Sequence, residues 1–312
     1  MDKVVEKRDS RTNRGPRAGE RHISVCICTF RRPDLLRRLL ERLEQQQTNG
    51  QFTFSVVVTD NDSARSAQHI AAEFAAGNRI AVTYSCEARR NIALARNESL
   101  SHAEGDFVAF IDDDEFPRDG WLAAMLEVCE ECQVAGVLGP VRPHFEEQPP
   151  RWIIDGRFCE RPEYRTGRVM NWEECRTGNF LLRRRTLDRL QQVFNPIFGS
   201  GGEDKDFFMR MMHLGHVFVW CNEGVVHETV PRERWKRSYM VKRAMLRGRN
   251  ILKHPGRIRL VVRSLIAGPV YLMVLPFALM FGQGVFMKYC IKFFDHAGRI
   301  LALLGLNPVR ER

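Results

Sequence analysis

The chain has 312 residues, 44% of them hydrophobic, which suits one large domain or two modest ones and excludes wholesale disorder. Its net charge of +10 gathers late: between Arg232 and Arg263 every Asp, Glu, Lys or Arg except Glu233 is basic, directly before the apolar run Leu265 to Phe281. A basic segment abutting an apolar one suits an anionic membrane surface; with no nucleic-acid module in the sequence, a nucleic-acid partner is not expected.

Residues 1–21 are polar without an apolar core and are expected to form a disordered tail, not a signal peptide. Strand and helix signals then alternate. Ser24–Thr29 is a short apolar strand, and Pro33 opens a helix carrying Leu35, Leu36, Leu39, Leu40 and Leu43. Phe54–Thr59 is a second strand ending at Asp60-Asn61-Asp62-Ser63. A helix over Ala64–Ala76, a strand over Ile80–Tyr84, a helix over Arg89–His102 and a strand over Asp106–Ile111 follow. This order predicts an α/β fold with a mostly parallel sheet flanked by helices. Ligands of such sheets gather at the carboxyl ends of the strands, where Asp60 and Asp112–Asp114 fall.

Beyond Val141 the regularity breaks, and Arg142–Cys175 reads as long loops over the site. Gly199-Ser200-Gly201-Gly202-Glu203-Asp204-Lys205-Asp206 is a glycine-rich turn delivering carboxylates to a helix start, and Val225-Val226-His227-Glu228 ends a short strand. Leu265–Phe281, extensible to 261–285, suits a membrane span, a kinked hairpin, an in-plane helix or a soluble core helix, and Phe286–Leu304 reads as amphipathic. The nine cysteines are scattered; Cys129 and Cys132 lack the second pair a zinc site needs, so free thiols and a reducing compartment are expected.

The stretch Phe107 to Pro117 ends an apolar strand on four adjacent carboxylates, Asp112 to Glu115. Like charges side by side repel, so either exposure to water or a cation must make them tolerable. Extended backbone would send Asp112 and Asp114 to one side and Asp113 to the other, so the first two could share a hard divalent cation.

Taken with Val25-Cys26-Ile27-Cys28-Thr29-Phe30, Val56-Val57-Val58-Thr59-Asp60-Asn61, Ala95-Arg96-Asn97 and Gly202-Glu203-Asp204, the run Phe110-Ile111-Asp112-Asp113-Asp114 carries a resemblance. From about residue 22 to 235 the chain resembles an inverting family 2 glycosyltransferase of the GT-A fold, a Rossmann-like nucleotide-diphospho-sugar transferase. It is similar to transferases that assemble bacterial exopolysaccharide, of the succinoglycan type, on a lipid carrier. The resemblance implies metal-dependent transfer of one hexose from a nucleotide-sugar, UDP being expected, to a polyprenyl-diphosphate-linked glycan at the cytoplasmic face of the cell membrane. It implies a Mn or Mg cation held by Asp114 and Asp112, with His227 as a third ligand. Asp60 would meet the base, Thr29 would line the same pocket, and Arg90, Arg96, Asp112 and Asp113 would lie along the donor. Asp204 would be the general base, oriented by Glu203. The implied organisation is a tail over 1–21, a GT-A domain over 22–235 (donor half 22–141, acceptor half 142–235), and a basic helix with a hydrophobic membrane-associated segment over 236–312. Arg234-Trp235 is similar to a pair near the acceptor channel of processive relatives, but Pro231 replaces their glutamine, so one sugar per acceptor is expected.

Two other readings compete. A nucleotidyltransferase would carry a glycine-rich loop after the first strand, and Thr29-Phe30-Arg31-Arg32-Pro33 has no glycine. A membrane-docked glycan-binding protein without turnover would have no need of both Asp114 and Asp204.

Overall fold

The structure, a computed structural model, describes residues 21–77, 79–188, 190–199, 201–250, 257–306 and 309. The expected tail lies outside these residues except Arg21, which begins the first strand, β1 (Arg21–Thr29).

The first half follows the predicted alternation. After β1 come α1 (Pro33–Leu43), β2 (Phe52–Asp60), α2 (Gln68–Ala76), β3 (Ala81–Cys86), α3 (Ile92–Ser101) and β4 (Phe107–Phe110). Pro33 starts α1, whose Leu36, Leu39, Leu40 and Leu43 are buried along one face. Two helices begin later than expected, each for a hydrogen-bonding reason. The Asp60 carboxylate accepts the backbone N–H groups of Asp62 (3.0 Å) and Ala67 (2.7 Å), which holds 61–67 as a loop ahead of α2. Asn91 Oδ1 accepts from the N–H groups of Ala93 (3.0 Å) and Leu94 (3.2 Å), capping α3.

Then come β5 (Glu115–Pro117), α4 (Trp121–Glu131), β6 (Gly136–Leu138), β7 (Val141–His144), α5 (Arg151–Gly156), β8 (Phe180–Arg183), α6 (Glu203–His213), β9 (Phe218–Trp220) and β10 (Val226–Thr229). The main sheet has the order β3-β2-β1-β4-β8-β6-β9. Its β3-β2-β1-β4 half is parallel, and β8 runs antiparallel to both β4 and β6. Because β8 lies between β4 and β6, residues 142–235 share this sheet with residues 22–141, so the two expected halves are not separate bodies. Alternating residues of β1 feed different cores. Ile23, Val25 and Ile27 pack with α1, α2 and α4, whereas Cys26 joins α3 and the phenylalanine cluster of Phe180, Phe194, Phe207, Phe208 and Phe218. A small second sheet, β5-β10-β7, lies at the end of the acidic turn.

Three helices close the chain: α7 (Arg237–Asn250), α8 (Arg257–Met280) and α9 (Gln283–Leu303). Helices α8 and α9 form an antiparallel hairpin, with His296 Nδ1 3.0 Å from Ser264 Oγ and the Tyr271 and Tyr289 rings 6.0 Å apart. Met287 of α9 is buried with Ile153 of α5 and Met240 of α7, so this unit is fastened to the domain and is not a detached anchor. Residues 260–280 form the one described helix long and apolar enough to cross a membrane. Its broad outer face is uncovered: Ile266 is 67% exposed, Met273 67% and Phe277 65%. All nine cysteines are free.

Candidate active site

Parallel strands β1, β2 and β4 end at one edge of the sheet, and each delivers a site residue there. Thr29 stands opposite Asp60 in the β1–β2 register, and the acidic turn follows Phe110, opposite Cys26. The turn is not extended. Strand β4 stops at Phe110, and the Glu115 N–H donates to the Asp112 carbonyl at 3.0 Å. The expected alternation of Asp113 against Asp112 and Asp114 is therefore corrected. Arg32 Nη1 meets Asp113 Oδ1 at 2.9 Å and Asp114 Oδ2 at 3.3 Å, while Asp112 turns to Arg96, 3.5 Å away.

Guanidinium groups stabilise the four carboxylates. Arg32 serves Asp113 and Asp114; Arg234 Nη2 donates to Asp114 Oδ2 at 2.8 Å; Arg161 lies 3.8 Å from Glu115; Arg96 reaches Asp112. A fifth carboxylate, Glu228 of β10, accepts from Arg161 at 2.6 Å and from Arg234. Burial raises Glu228, yet Arg161 and Arg234 outweigh it and hold it below its ordinary value. Compensation elsewhere is incomplete. Burial pushes the Asp113 carboxyl up to about 6 against the pull of Arg32. Asp114 is raised by burial and the neighbouring Asp112 charge, and Glu115, wholly enclosed, is raised furthest, with its Oε1 lacking a hydrogen bond. Gly178 leaves just enough room for this turn: a Cβ there would lie 2.8 Å from Asp112 Oδ2 and 2.9 Å from Glu115 Oε1.

A second acidic turn faces the first. Gly202, at φ +102°, adopts the left-handed backbone that starts α6 and sets Glu203 and Asp204 in its first turn. Glu203 is buried and ion-paired with buried Arg96, which thereby bridges the two acidic turns. Burial raises the Glu203 carboxyl and Arg96 pulls it back. Asp204 is half-buried, and its Oδ1 accepts the Lys205 N–H at 2.7 Å.

Other expected site residues fall differently. Thr29 donates to Asp113 Oδ2 at 2.8 Å, a support for the acidic turn. The Asp60 carboxylate is enclosed and holds the 61–67 loop, with Tyr84 Oη 3.4 Å from its Oδ2. Arg90 lies at the surface with its guanidinium 4.7 Å from the Phe30 ring centroid. The expectation of His227 as a metal ligand is corrected. Alternation on β10 sends Glu228 to the arginines and His227 to the opposite face, where its ring stacks on Phe116 at 5.4 Å. Burial and the charges of Arg118, His144 and Arg142 lower the His227 pKa. Among the described residues no three His, Cys, Asp or Glu side chains group as a complete metal site. Residue reasoning missed Arg32, Arg161, Glu228 and Gly178 as site groups. Pairing of Arg32 or Arg161 with the turn spans 46 to 82 positions in the chain, and no local pattern signals it.

The family model for glycosyl transferase family 2 matches residues 24–190, and that for glycosyl transferase family group 2 matches 158–305. The chain is 32% identical over 298 residues to the succinoglycan biosynthesis protein ExoM of Rhizobium meliloti (strain 1021), covering 93% of this chain and 95% of that protein. It is similar in structure to the mannosyltransferase PcManGT from Pyrobaculum calidifontis in complex with GDP-Man and Mn2+, with a TM-score of 0.63 and 18% identity over 92% of this chain and 88% of that one. It is also similar to residues 1–349 of S. aureus TarS in complex with UDP, with a TM-score of 0.52 and 15% identity, covering 93% of this chain and 94% of that fragment. Against a longer TarS chain it spans 39% of the length. The fold is GT-A, and the chain belongs to glycosyl transferase family 2 as a transferase enzyme.

Proposed function

We propose that this chain moves one hexosyl unit from a nucleoside-diphosphate sugar, UDP being the first candidate, to a lipid-linked saccharide at the cytoplasmic face of a membrane, with inversion. The relative named for succinoglycan biosynthesis and the GDP-Man and UDP bound in similar folds support the donor class and an exopolysaccharide role. The observation that carries the reading is the pairing of two acidic turns through Arg96, one enclosed among guanidiniums and one presenting half-buried Asp204. In this reading the acceptor hydroxyl attacks the anomeric carbon, the bond to the diphosphate oxygen breaks, and the hydroxyl proton passes to Asp204. Glu203, held by Arg96, orients that turn. A nucleoside diphosphate leaves without needing a protein acid, so one base suffices.

The residues present suit a divalent cation. Asp112, with 47% of its side chain exposed, and Asp114 offer hard oxygens, and raised Asp114 would be relieved by positive charge. Asp112 and Asp114 would hold Mn or Mg, which supplies charge stabilisation to the departing diphosphate. Arg234 on Asp114 would have to share or yield its oxygen.

The outer face of α8 supports a membrane partner. Helix α9 stays with the domain through Met287 and the Arg247–Asp295 ion pair (2.7 Å), and α8 lies along α9. An in-plane α8, apolar face in lipid and basic flank at the headgroups, follows best.

The deciding assay measures free nucleoside diphosphate released from a panel of UDP- and GDP-sugars with Mn or Mg. Asp114→Asn is expected to weaken metal-supported UDP binding at least tenfold. Unchanged Mn-dependent affinity in the folded variant would remove Asp114 from the site, and no turnover of any sugar nucleotide would remove the reading.

A further inference from the structure

Six described residues other than glycine hold a positive φ, and five of them, Arg31, Asn49, Arg65, Gln133 and Arg157, are exposed. The sixth, Asn179 at φ +67°, is buried, with 1% of its surface exposed. A left-handed backbone is unfavourable for a residue with a side chain, and inside a fold it persists where the surroundings fix it. Asn179 stands between the start of β8 and Gly178, the residue that abuts Asp112 and Glu115.

Each donor of Asn179 and both of its oxygens are engaged. Its backbone N–H donates to the Phe110 carbonyl at 3.1 Å, and its own carbonyl accepts the Gly139 N–H at 3.2 Å. Its Oδ1 accepts the Trp121 indole N–H at 2.7 Å, while Nδ2 donates to the carbonyls of Pro140 (2.9 Å) and Gly224 (2.7 Å). Phe110 is the last residue of β4 and Trp121 the first of α4. Both ends of the stretch 111–120, which carries the four carboxylates, are therefore fastened to one residue. The remaining partners set the start of β10. The Pro140 carbonyl also accepts the Val226 N–H (3.1 Å), and at the other end of β10 the Thr229 N–H donates to the Asp114 carbonyl (2.8 Å). This close assembly needs a small neighbour: a Cβ on Gly139 would lie 2.5 Å from Asn179 Nδ2.

We propose that Asn179 is the positioning residue of the donor site, acting through the acidic turn to fix where Asp112 and Asp114 present their oxygens. Its side chain and N–H hold the two ends of the turn, and its left-handed backbone sets Gly178 beside Asp112 and Glu115. This inference rests on the proposed reading of that turn as the place of the cation and the nucleotide diphosphate.

The test uses the full-length protein in detergent and reads amide hydrogen exchange by mass spectrometry, beside UDP affinity with Mn by calorimetry. Asn179→Gly loses the side-chain bonds but adopts the left-handed backbone freely. It should speed exchange over residues 111–116 at least about tenfold, leave β2 within about twofold of the parent, and weaken UDP binding about tenfold, the scale of one lost hydrogen bond. Asn179→Ala loses the same bonds and must also hold the strained φ, so it should fall further on both measures; if it does not fold, Asn179→Gly carries the test. Leu43→Ala, which opens a cavity under the last turn of α1, serves as a comparison destabilised away from the turn. It should change neither exchange over 111–116 nor UDP affinity by more than about twofold. Parental exchange over 111–116 in Asn179→Gly would overturn the proposal. So would equal acceleration in β2 or in Leu43→Ala, which would make Asn179 an ordinary core residue, and so would faster exchange with unchanged UDP affinity. A parent without Mn-dependent UDP affinity, whose turn is still loosened by Asn179→Gly, would instead remove the donor-site reading and leave the positioning of the turn standing.

Discussion

Replacing Arg96 by methionine tests the link between the two acidic turns. Arg96 and Glu203 retain only 8% and 7% side-chain exposure, so solvent screening does not dilute their pairing. Glu203 Oε2 already lacks a hydrogen bond, and without Arg96 the whole carboxylate would be buried unpaired. Breaking such a pair from one side costs about 3–5 kcal/mol. At about 2–4 °C per kcal/mol for a domain of this size, Tm should fall by about 6–20 °C. Glu203→Gln in the same background should recover much of that loss, because a neutral amide needs no counter-charge. The pH dependence has a definite sign. Glu203 already stands above its ordinary value through burial, and losing Arg96 raises it further. A carboxyl raised on folding contributes its stability at low pH and loses it as pH rises through the folded value. The gap between variant and parent should therefore be full near neutrality and narrow towards acid. Thermal melts of the parent, both single variants and the double variant close the cycle. If Arg96→Met destabilises equally with and without Glu203→Gln, the bridge does not hold the turns together.

Three further outcomes follow from named contacts. Asp204→Asn should leave UDP-sugar and metal affinity nearly intact while lowering turnover about a hundredfold or more; transfer rates and binding isotherms measured side by side check this, and near-parental turnover would move the base elsewhere. Gly178→Ala would drive a Cβ against Asp112 and Glu115, costing about 1–3 kcal/mol of stability and weakening metal-supported UDP binding, read by melting and by UDP titration with Mn. Substituting Ile266, Met273 and Phe277 together by serine should lower retention on vesicles containing anionic lipid at least about a hundredfold in a flotation assay, since each apolar side chain contributes about 1.5–3 kcal/mol when fully buried and a third of the three-residue sum already amounts to about tenfold or more. Ending the chain near residue 254 is a poorer test, because it would also strip Met287 from Ile153 and Met240.

Local signals in the sequence determined the strand–helix alternation from β1 to β4, because apolar period, Pro33 and strand-end aspartates act within a few residues. They likewise marked Asp112–Asp114 and Glu203–Asp204, since runs of carboxylates at element ends stand out against their neighbours. Only the tertiary structure decided what those carboxylates meet. Arg32, Arg161 and Arg234 are ordinary members of an arginine-rich chain until β1, the segment before β8 and the end of β10 bring them to one turn. His227 shows the converse. One position on β10 separates it from Glu228, and strand alternation sends it to the wrong face for a ligand. The C-terminal helices make the same point. Hydropathy identifies α8 as apolar, but whether it is core or surface depends on what covers it, and α9 covers only its inner side. Composition and period are carried by neighbours along the chain, whereas charge pairing and exposure depend on partners that only the complete fold brings into contact.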